Sequence, residues 1–231
     1  MQGMQIRMLR RLQTRTCAGF AVLAMALSVL AGCATDGKVK AAPVADKPSV
    51  PTGPSVARLM DGREGFIITE VPTMDEASRR DFDRAVAMLK DQDDGQAIDL
   101  LEKVIKQSPG VTAPHIDIAI AYLRVGKPSL AEKHIKTALR LFPEHPVASN
   151  EYGLLYRKTG RFAEARVIYG KAIERFPDYS PAHKNLGILC DLYLNDPACA
   201  LEHYEIYSKA RPKDAQVTLW IADVRARLGR N

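Results

Sequence analysis

The sequence predicts an all-α, right-handed superhelical solenoid of about four stacked helix-turn-helix units closed by one further helix. Three observations lead there. Pro109, Pro143 and Pro177 are 34 residues apart, as are Ala97, Ala131 and Ala165, and a fixed period in the range of about 20 to 50 residues marks stacked supersecondary units. Aromatic residues make up only 6% of the chain, and the apolar content from Phe82 onward is mostly Ala, Leu, Ile and Val, which suits close helix packing better than a sandwich or barrel. The chain has 231 residues, 46% hydrophobic and 26% charged, a balance that excludes wholesale disorder and a polytopic membrane protein.

Residues 1–32 read as a removable address. Arg7, Arg10, Arg11 and Arg15 precede an apolar stretch from Cys17 to Leu30, followed by small residues; this is the charged, hydrophobic and cleavage pattern of a secretory signal. The stretch is short for the ~20 residues a spanning helix needs. The formal charge of +6 largely belongs to this segment, because the rest of the chain holds 29 basic against 27 acidic residues. A nucleic-acid partner is therefore not expected. The signal ends Leu30-Ala31-Gly32-Cys33, which resembles the bacterial lipobox. The resemblance implies cleavage before Cys33, lipidation of its sulfur and, with Ala34 where an inner-membrane retention signal has aspartate, a place on the outer membrane facing the periplasm.

Residues 33–72 follow as a lipidated terminus and tether. Pro43, Pro48, Pro51 and Pro54 lie among Ala, Lys, Val and Ser over residues 34–60 without helical or strand periodicity, the composition of a semi-extended linker. The β-branched run Gly65-Phe66-Ile67-Ile68-Thr69-Glu70-Val71-Pro72 favours an extended segment. With no evident partner strand, it is expected to pack along the helical domain rather than form a sheet. Thr73-Met74-Asp75-Glu76 matches a capping box and opens the helical domain, 73–231.

Within that domain the units span about 78–111, 112–145, 146–179 and 180–212, with a capping helix over 214–229. In the third, Tyr152-Gly153, Tyr156, Ala165, Tyr169, Ala172 and Pro177 recur at set spacings; in the second, Ile118-Ala119, Tyr122, Ala131, Ile135, Ala138 and Pro143; in the fourth, Leu186-Gly187, Cys190, Ala200, Tyr204 and Pro212, with one residue inserted near the turn. The first keeps Ala85, Met88, Ala97, Leu101 and Pro109 but has Arg84 in the leucine slot. This pattern resembles the tetratricopeptide repeat. Small Gly153, Gly187 and Ala119 are expected to bring helices A and B of a unit close together, next to the alanine of the partner helix. Gly126 and Gly160 are expected to turn the chain with positive φ. Ser180-Pro181 and Asp196-Pro197 read as helix starts. Asp214 should cap a last helix whose Val217, Trp220, Ile221 and Val224 cover the end of the array, making Trp220 a core residue.

Cys190 and Cys199 flank one tight turn of the fourth unit, where antiparallel helices can bring two cysteines within the ~4.4 to 6.8 Å Cα separation of a disulfide. A bond is expected there. His115, His134, His145, His183 and His203 form neither HxxxH nor HExxH, so no metal site is expected, and His115 and His183 sit in a slot that favours packing. No phosphate loop, nucleophile motif or carboxylate pair in recognisable context appears. Neither enzyme activity, a cofactor nor a small-molecule substrate is expected.

Arrays of this kind present a concave face to other polypeptides. The residues expected on it are Phe82, Val86, Ile116, Ile120, Asn150, Leu154, Arg157, Lys184, Asn185, Ile188 and Asp191. Arg157 and Lys184 there could meet an acidic group. Lipobox and repeats together resemble the lipoproteins of type IV pilus biogenesis and of envelope scaffolds, which implies a non-catalytic periplasmic adaptor with envelope proteins as partners. An accessory to a TonB/ExbB-type energy-transduction system has the same architecture. A lipid-anchored peptidoglycan enzyme or cell-wall-binding protein is the alternative of another class.

Overall fold

The computed structural model describes residues 54–59, 65–70 and 73–229. The signal segment 1–32, the lipidation site Cys33 and the tether up to Gly53 lie outside the described residues. Described are two strands, β1 (Ser55–Arg58) and β2 (Phe66–Thr69), and nine helices: α1 (Glu76–Lys90), α2 (Asp94–Gln107), α3 (Thr112–Arg124), α4 (Pro128–Leu141), α5 (Pro146–Lys158), α6 (Phe162–Arg175), α7 (Ser180–Leu192), α8 (Pro197–Ala210) and α9 (Ala215–Arg227). Odd-numbered helices α1 to α7 are the A helices of four hairpins, and α9 covers the last.

Local chemistry sets the helix ends. Asp75, Asp196 and Asp214 accept from backbone amides three residues on, at 2.7, 3.0 and 3.4 Å, each satisfying one amide that the first turn leaves unpaired. The cap of α1 is thus Asp75 and not Thr73: the aspartate one residue before the helix has the shorter reach. Ser180 lies inside α7 as its first residue, with Tyr179 before it. Proline near the starts of α4, α5, α7 and α8 has no amide to lose there.

Between A and B helices the chain turns through a left-handed residue. Gly126 and Gly160 hold φ of +75° and +77°, Asn195 holds 51° in the unit with the insertion, and Gln92 holds 63° in the first. Gln92 stands 34 residues before Gly126 and carries a Cβ where that conformation disfavours one. Gln92→Gly should therefore raise unfolding free energy by about 0.5 kcal/mol, the relief of strain exceeding the added freedom of the unfolded chain. Urea denaturation reads it.

The core runs unbroken from Phe82 to Val224 between the layers of helices. The close approach within a unit differs from expectation: the groups against Gly153 and Gly187 are tyrosine rings, not alanines. A Cβ on Gly153 would lie 2.5 Å from the Tyr169 ring, and one on Gly187 2.6 Å from the Tyr204 ring.

The segment around Phe66 also departs from the sequence reading. β2 does pair, antiparallel with β1, in the register Ser55↔Thr69 to Arg58↔Phe66; its partner strand lies in the stretch read as unstructured tether. The pair also packs on the helices. The Phe66 ring sits 5.4 Å from Phe176 and 5.9 Å from Tyr179, with Val56 beside it. Glu70 accepts from the amide of Thr112 at 2.8 Å, and one of its carboxylate oxygens lies 3.6 Å from Nε2 of His145. A four-residue ribbon is marginal alone, so these contacts hold it.

Candidate functional site: the concave face

The A helices α1, α3, α5 and α7 lie side by side, α3 against α5 and α5 against α7, and form the inner face. Three residues expected on its surface are instead buried. Phe82 belongs to the main core, Ile116 packs with Ala138 and Ala148 in a smaller cluster, and Asn150 is 4% exposed. They sit on the edge of the inner arc nearest the next helix, where the neighbouring unit covers them. Val86, Ile120, Leu154, Arg157, Lys184, Asn185, Ile188 and Asp191 are half-buried.

Most polar members of this face are already engaged. Asn185 donates to Oδ1 of Asn150 at 2.9 Å, tying α7 to α5. Lys184 lies 2.7 Å from Asp214 and over the rings of Tyr207 and Trp220, joining α7 to α9. Asp191 accepts from Arg227 and, at 3.3 Å, from the hydroxyl of Tyr204. Trp220 is half-buried against Tyr204, ring centroids 5.4 Å apart. Arg157 has no carboxylate partner among the described residues; its guanidinium faces the Tyr193 ring at 5.9 Å.

Two acids on this face were not among the expected residues. Asp117 and Glu151 occupy the same slot of successive units, one residue after Ile116 and Asn150, and Asp83 precedes them by a further 34. Translating the repeat period along any A-helix position would have found this column. Glu151 borders a crevice with Ile120, Leu123 and Leu155. Burial raises both carboxyls, and the charge of Glu151 adds to the rise at Asp117, which is pushed up to about 7.

A folded pKa above the unfolded value means that Asp117 favours folding while protonated and opposes it as pH rises through about 7. Asp117→Asn should leave stability unchanged below pH ~4 and raise it by about 1 kcal/mol above pH ~8, since the side chain keeps some access to water. Thermal melts of both proteins across that range test this.

The histidines form two matching pairs. Nδ1 of His115 lies 3.0 Å from Nδ1 of His134, and Nδ1 of His183 lies 3.1 Å from Nδ1 of His203. Ring centroids 5.3 and 5.2 Å apart place the nitrogens nearly head to head, the geometry of one shared proton. His183 fixes its tautomer by donating from Nε2 to the Pro177 carbonyl at 2.8 Å. Desolvation lowers all four, His115 to about 4. They staple helix A to helix B. His145 is buried and accepts at Nδ1 from the amide of Ala148. Cys190 and Cys199 form a disulfide with Cα atoms 5.9 Å apart. Asp196 lies beside those sulfurs, which are bonded to one another and not present as thiolates.

This architecture defines a class, the tetratricopeptide superhelix. The tetratricopeptide repeat family is matched over residues 116–181, and a second form of the repeat over residues 81–110. Among solved structures the chain is similar to PilF of Pseudomonas aeruginosa, at 24% identity over 66% of this chain and 69% of that one, with a TM-score of 0.61. It is similar also to the tetratricopeptide protein TTC0263 of Thermus thermophilus, at 19% identity over 64% and 81% of the two chains, TM-score 0.59. MamA of Desulfovibrio magneticus RS-1 matches at 16% identity over 68% and 88%, TM-score 0.57. At these identities the likeness is one of fold.

Two curated relatives match part of the chain. The anaphase-promoting complex subunit CDC16 of Saccharomyces cerevisiae is 26% identical over 142 residues, 59% of this chain. The probable glycosyltransferase SPINDLY of Petunia hybrida is 30% identical over 93 residues, 40% of this chain. The chain spans 17% and 10% of their lengths.

Proposed function

We propose that the protein is a non-catalytic adaptor of the bacterial envelope: a lipoprotein of the outer membrane whose tetratricopeptide domain stands in the periplasm and holds other envelope proteins, in the assembly of a pilus or secretin channel. The observation that carries this reading is the union of two features in one chain, a signal ending in Leu30-Ala31-Gly32-Cys33 and a tetratricopeptide superhelix. Tetratricopeptide arrays work by binding polypeptides along their inner arc. The half-buried Ile120, Leu154 and Ile188 offer apolar anchorage there. The Cys190–Cys199 bond suits an oxidising compartment, and the likeness of fold to PilF fits a role in pilus assembly.

Membrane fractionation, with mass spectrometry of the amino terminus, tests the location. A chain beginning at an acylated Cys33 in the outer membrane is expected, and its loss to the soluble fraction on Cys33→Ser. Crosslinking in intact cells tests the role. An envelope protein should crosslink to the chain and be lost on Ile120→Asp or Leu154→Asp; an unprocessed, unacylated chain in the cytosol would overturn the reading.

A further inference from the structure

Repeats three and four are built alike up to one group. In the fourth, the Tyr204 ring crosses Gly187 and its hydroxyl donates to Asp191 on the inner arc. In the third, the Tyr169 ring crosses Gly153 in the same way, but the slot of Asp191 holds Arg157. Tyr169 is fully buried, and its hydroxyl lies beside Arg157. Among the described residues neither the O–H of Tyr169 nor the Nε–H of Arg157 has an acceptor, although both atoms are buried. The hydroxyl oxygen can accept from the guanidinium beside it, but that leaves both donors unmet, a costly arrangement unless an acceptor arrives from outside. The second repeat has no such demand, with Ile135 in the tyrosine slot and Leu123 in that of Arg157.

We propose that the floor of the third repeat is a carboxylate subsite: an Asp or Glu side chain of a bound polypeptide accepts from Tyr169 and Arg157, filling in trans the place that Asp191 fills in cis one repeat on. This rests on the reading of the concave face as a binding surface. An ionised acceptor suits a guanidinium and a hydroxyl together better than a carbonyl does. Of the two basic residues expected on this face, Lys184 is already paired with Asp214, so Arg157 supplies the charge. Leu154 and Ile188 flank the site and are half-buried, so the acid is offered between apolar residues. The floor continues past Arg157 on both sides, to Ile120 on α3 and to α7, so a chain can run through and present a side chain rather than its end. Glu151 lies near Tyr169 and opposes an incoming anion.

The test uses the full chain in detergent micelles and three peptides: acetyl-Ser-Leu-Glu-Leu-Ser-amide, its glutamine counterpart, and that counterpart with a free carboxyl terminus. The readout is the Nε–H resonance of Arg157, assigned by its disappearance in Arg157→Lys. The glutamate peptide should move it saturably and the capped glutamine peptide should not. Tyr169→Phe should weaken the glutamate peptide about fivefold, while leaving the fold at least as stable because a buried unpaired hydroxyl is gone. Glu151→Gln should tighten it severalfold.

A resonance unmoved by the glutamate peptide up to about 10 mM overturns the subsite. Equal movement by the capped glutamine peptide overturns it too, as does movement by the free-terminus peptide alone. A cellular partner lost on Leu154→Asp but retained by Arg157→Lys and Tyr169→Phe would leave the groove standing and remove the carboxylate.

Discussion

Gly153→Ala should lower the unfolding free energy by about 1–3 kcal/mol, although alanine is the better helix former by about 1 kcal/mol. The added Cβ would fall 2.5 Å from the nearest Tyr169 ring carbon and 2.7 Å from two others. The ring has no exposed surface, so it can retreat only by displacing α6 from α5, and overlap with a rigid buried ring outweighs the gain in propensity. The chain contains its own control. The slots of Gly153 and Tyr169 hold Gly187 and Tyr204 in the fourth repeat, Ala119 and Ile135 in the second, and Ala85 and Leu101 in the first. Glycine goes with tyrosine, and alanine with a branched aliphatic.

Gly153→Ala combined with Tyr169→Ile should therefore recover most of the loss. A double-mutant cycle should give a favourable coupling of about 1–2 kcal/mol, because either change alone creates a clash or a void and together they reproduce the second repeat. Urea unfolding of the four proteins measures it. Additive effects would show that the ring does not need the glycine, and the packing account of the repeat would fail.

The same pairing shows which parts of the structure were legible in the sequence. The 34-residue period fixed the number of hairpins, the left-handed Gly126 and Gly160 and the terminal cap at Asp214, because each follows from a residue type that a local conformation demands. The identity of the atoms that meet was not legible. Periodicity places Gly153 at the helix crossing, but only the fold brings an aromatic ring across it. The concave face was legible as a column of positions and less so as a surface: Ile116 and Asn150 share the arc with Ile120 and Leu154, yet the next repeat covers them. β1 left no signal, since Ser55-Val56-Ala57-Arg58 has one β-branched residue. Its structure comes from contacts of Phe66 and Val56 with Phe176 and Tyr179, about 110 residues away.

Reducing the Cys190–Cys199 bond should cost about 2–3 kcal/mol, and the loss should fall on one end of the array. On the chain-entropy account, closing a loop of about ten residues restricts the unfolded state by roughly that amount. The bond spans a turn that is otherwise held by the Asp196 cap and by the amide of Asp196 donating to the Cys190 carbonyl. Its unit carries the inserted residue, Asn195 turns the chain with φ of 51°, and Leu192 and Tyr193 are 67% and 44% exposed. In the second and third repeats the slot of Cys190 holds Tyr122 and Tyr156, whose rings fill the same interior. Here a smaller side chain leaves the sulfur linkage in place of the ring, at the turn end of α7 and α8, which the His183–His203 pair and the Tyr204–Asp191 hydrogen bond also join.

Stability in a stacked array passes between neighbours, so α7, α8 and α9 should open first under reduction. Amide exchange should then accelerate at Val217, Ile221 and Val224 while Ile118 and Leu155 in the middle remain protected. Cys190→Ala with Cys199→Ala should reproduce the effect and abolish any further response to reductant. If exchange instead quickened uniformly from α1 to α9, the helices would be unfolding as one cooperative block, and the bond would be stabilising the whole domain rather than its last repeat.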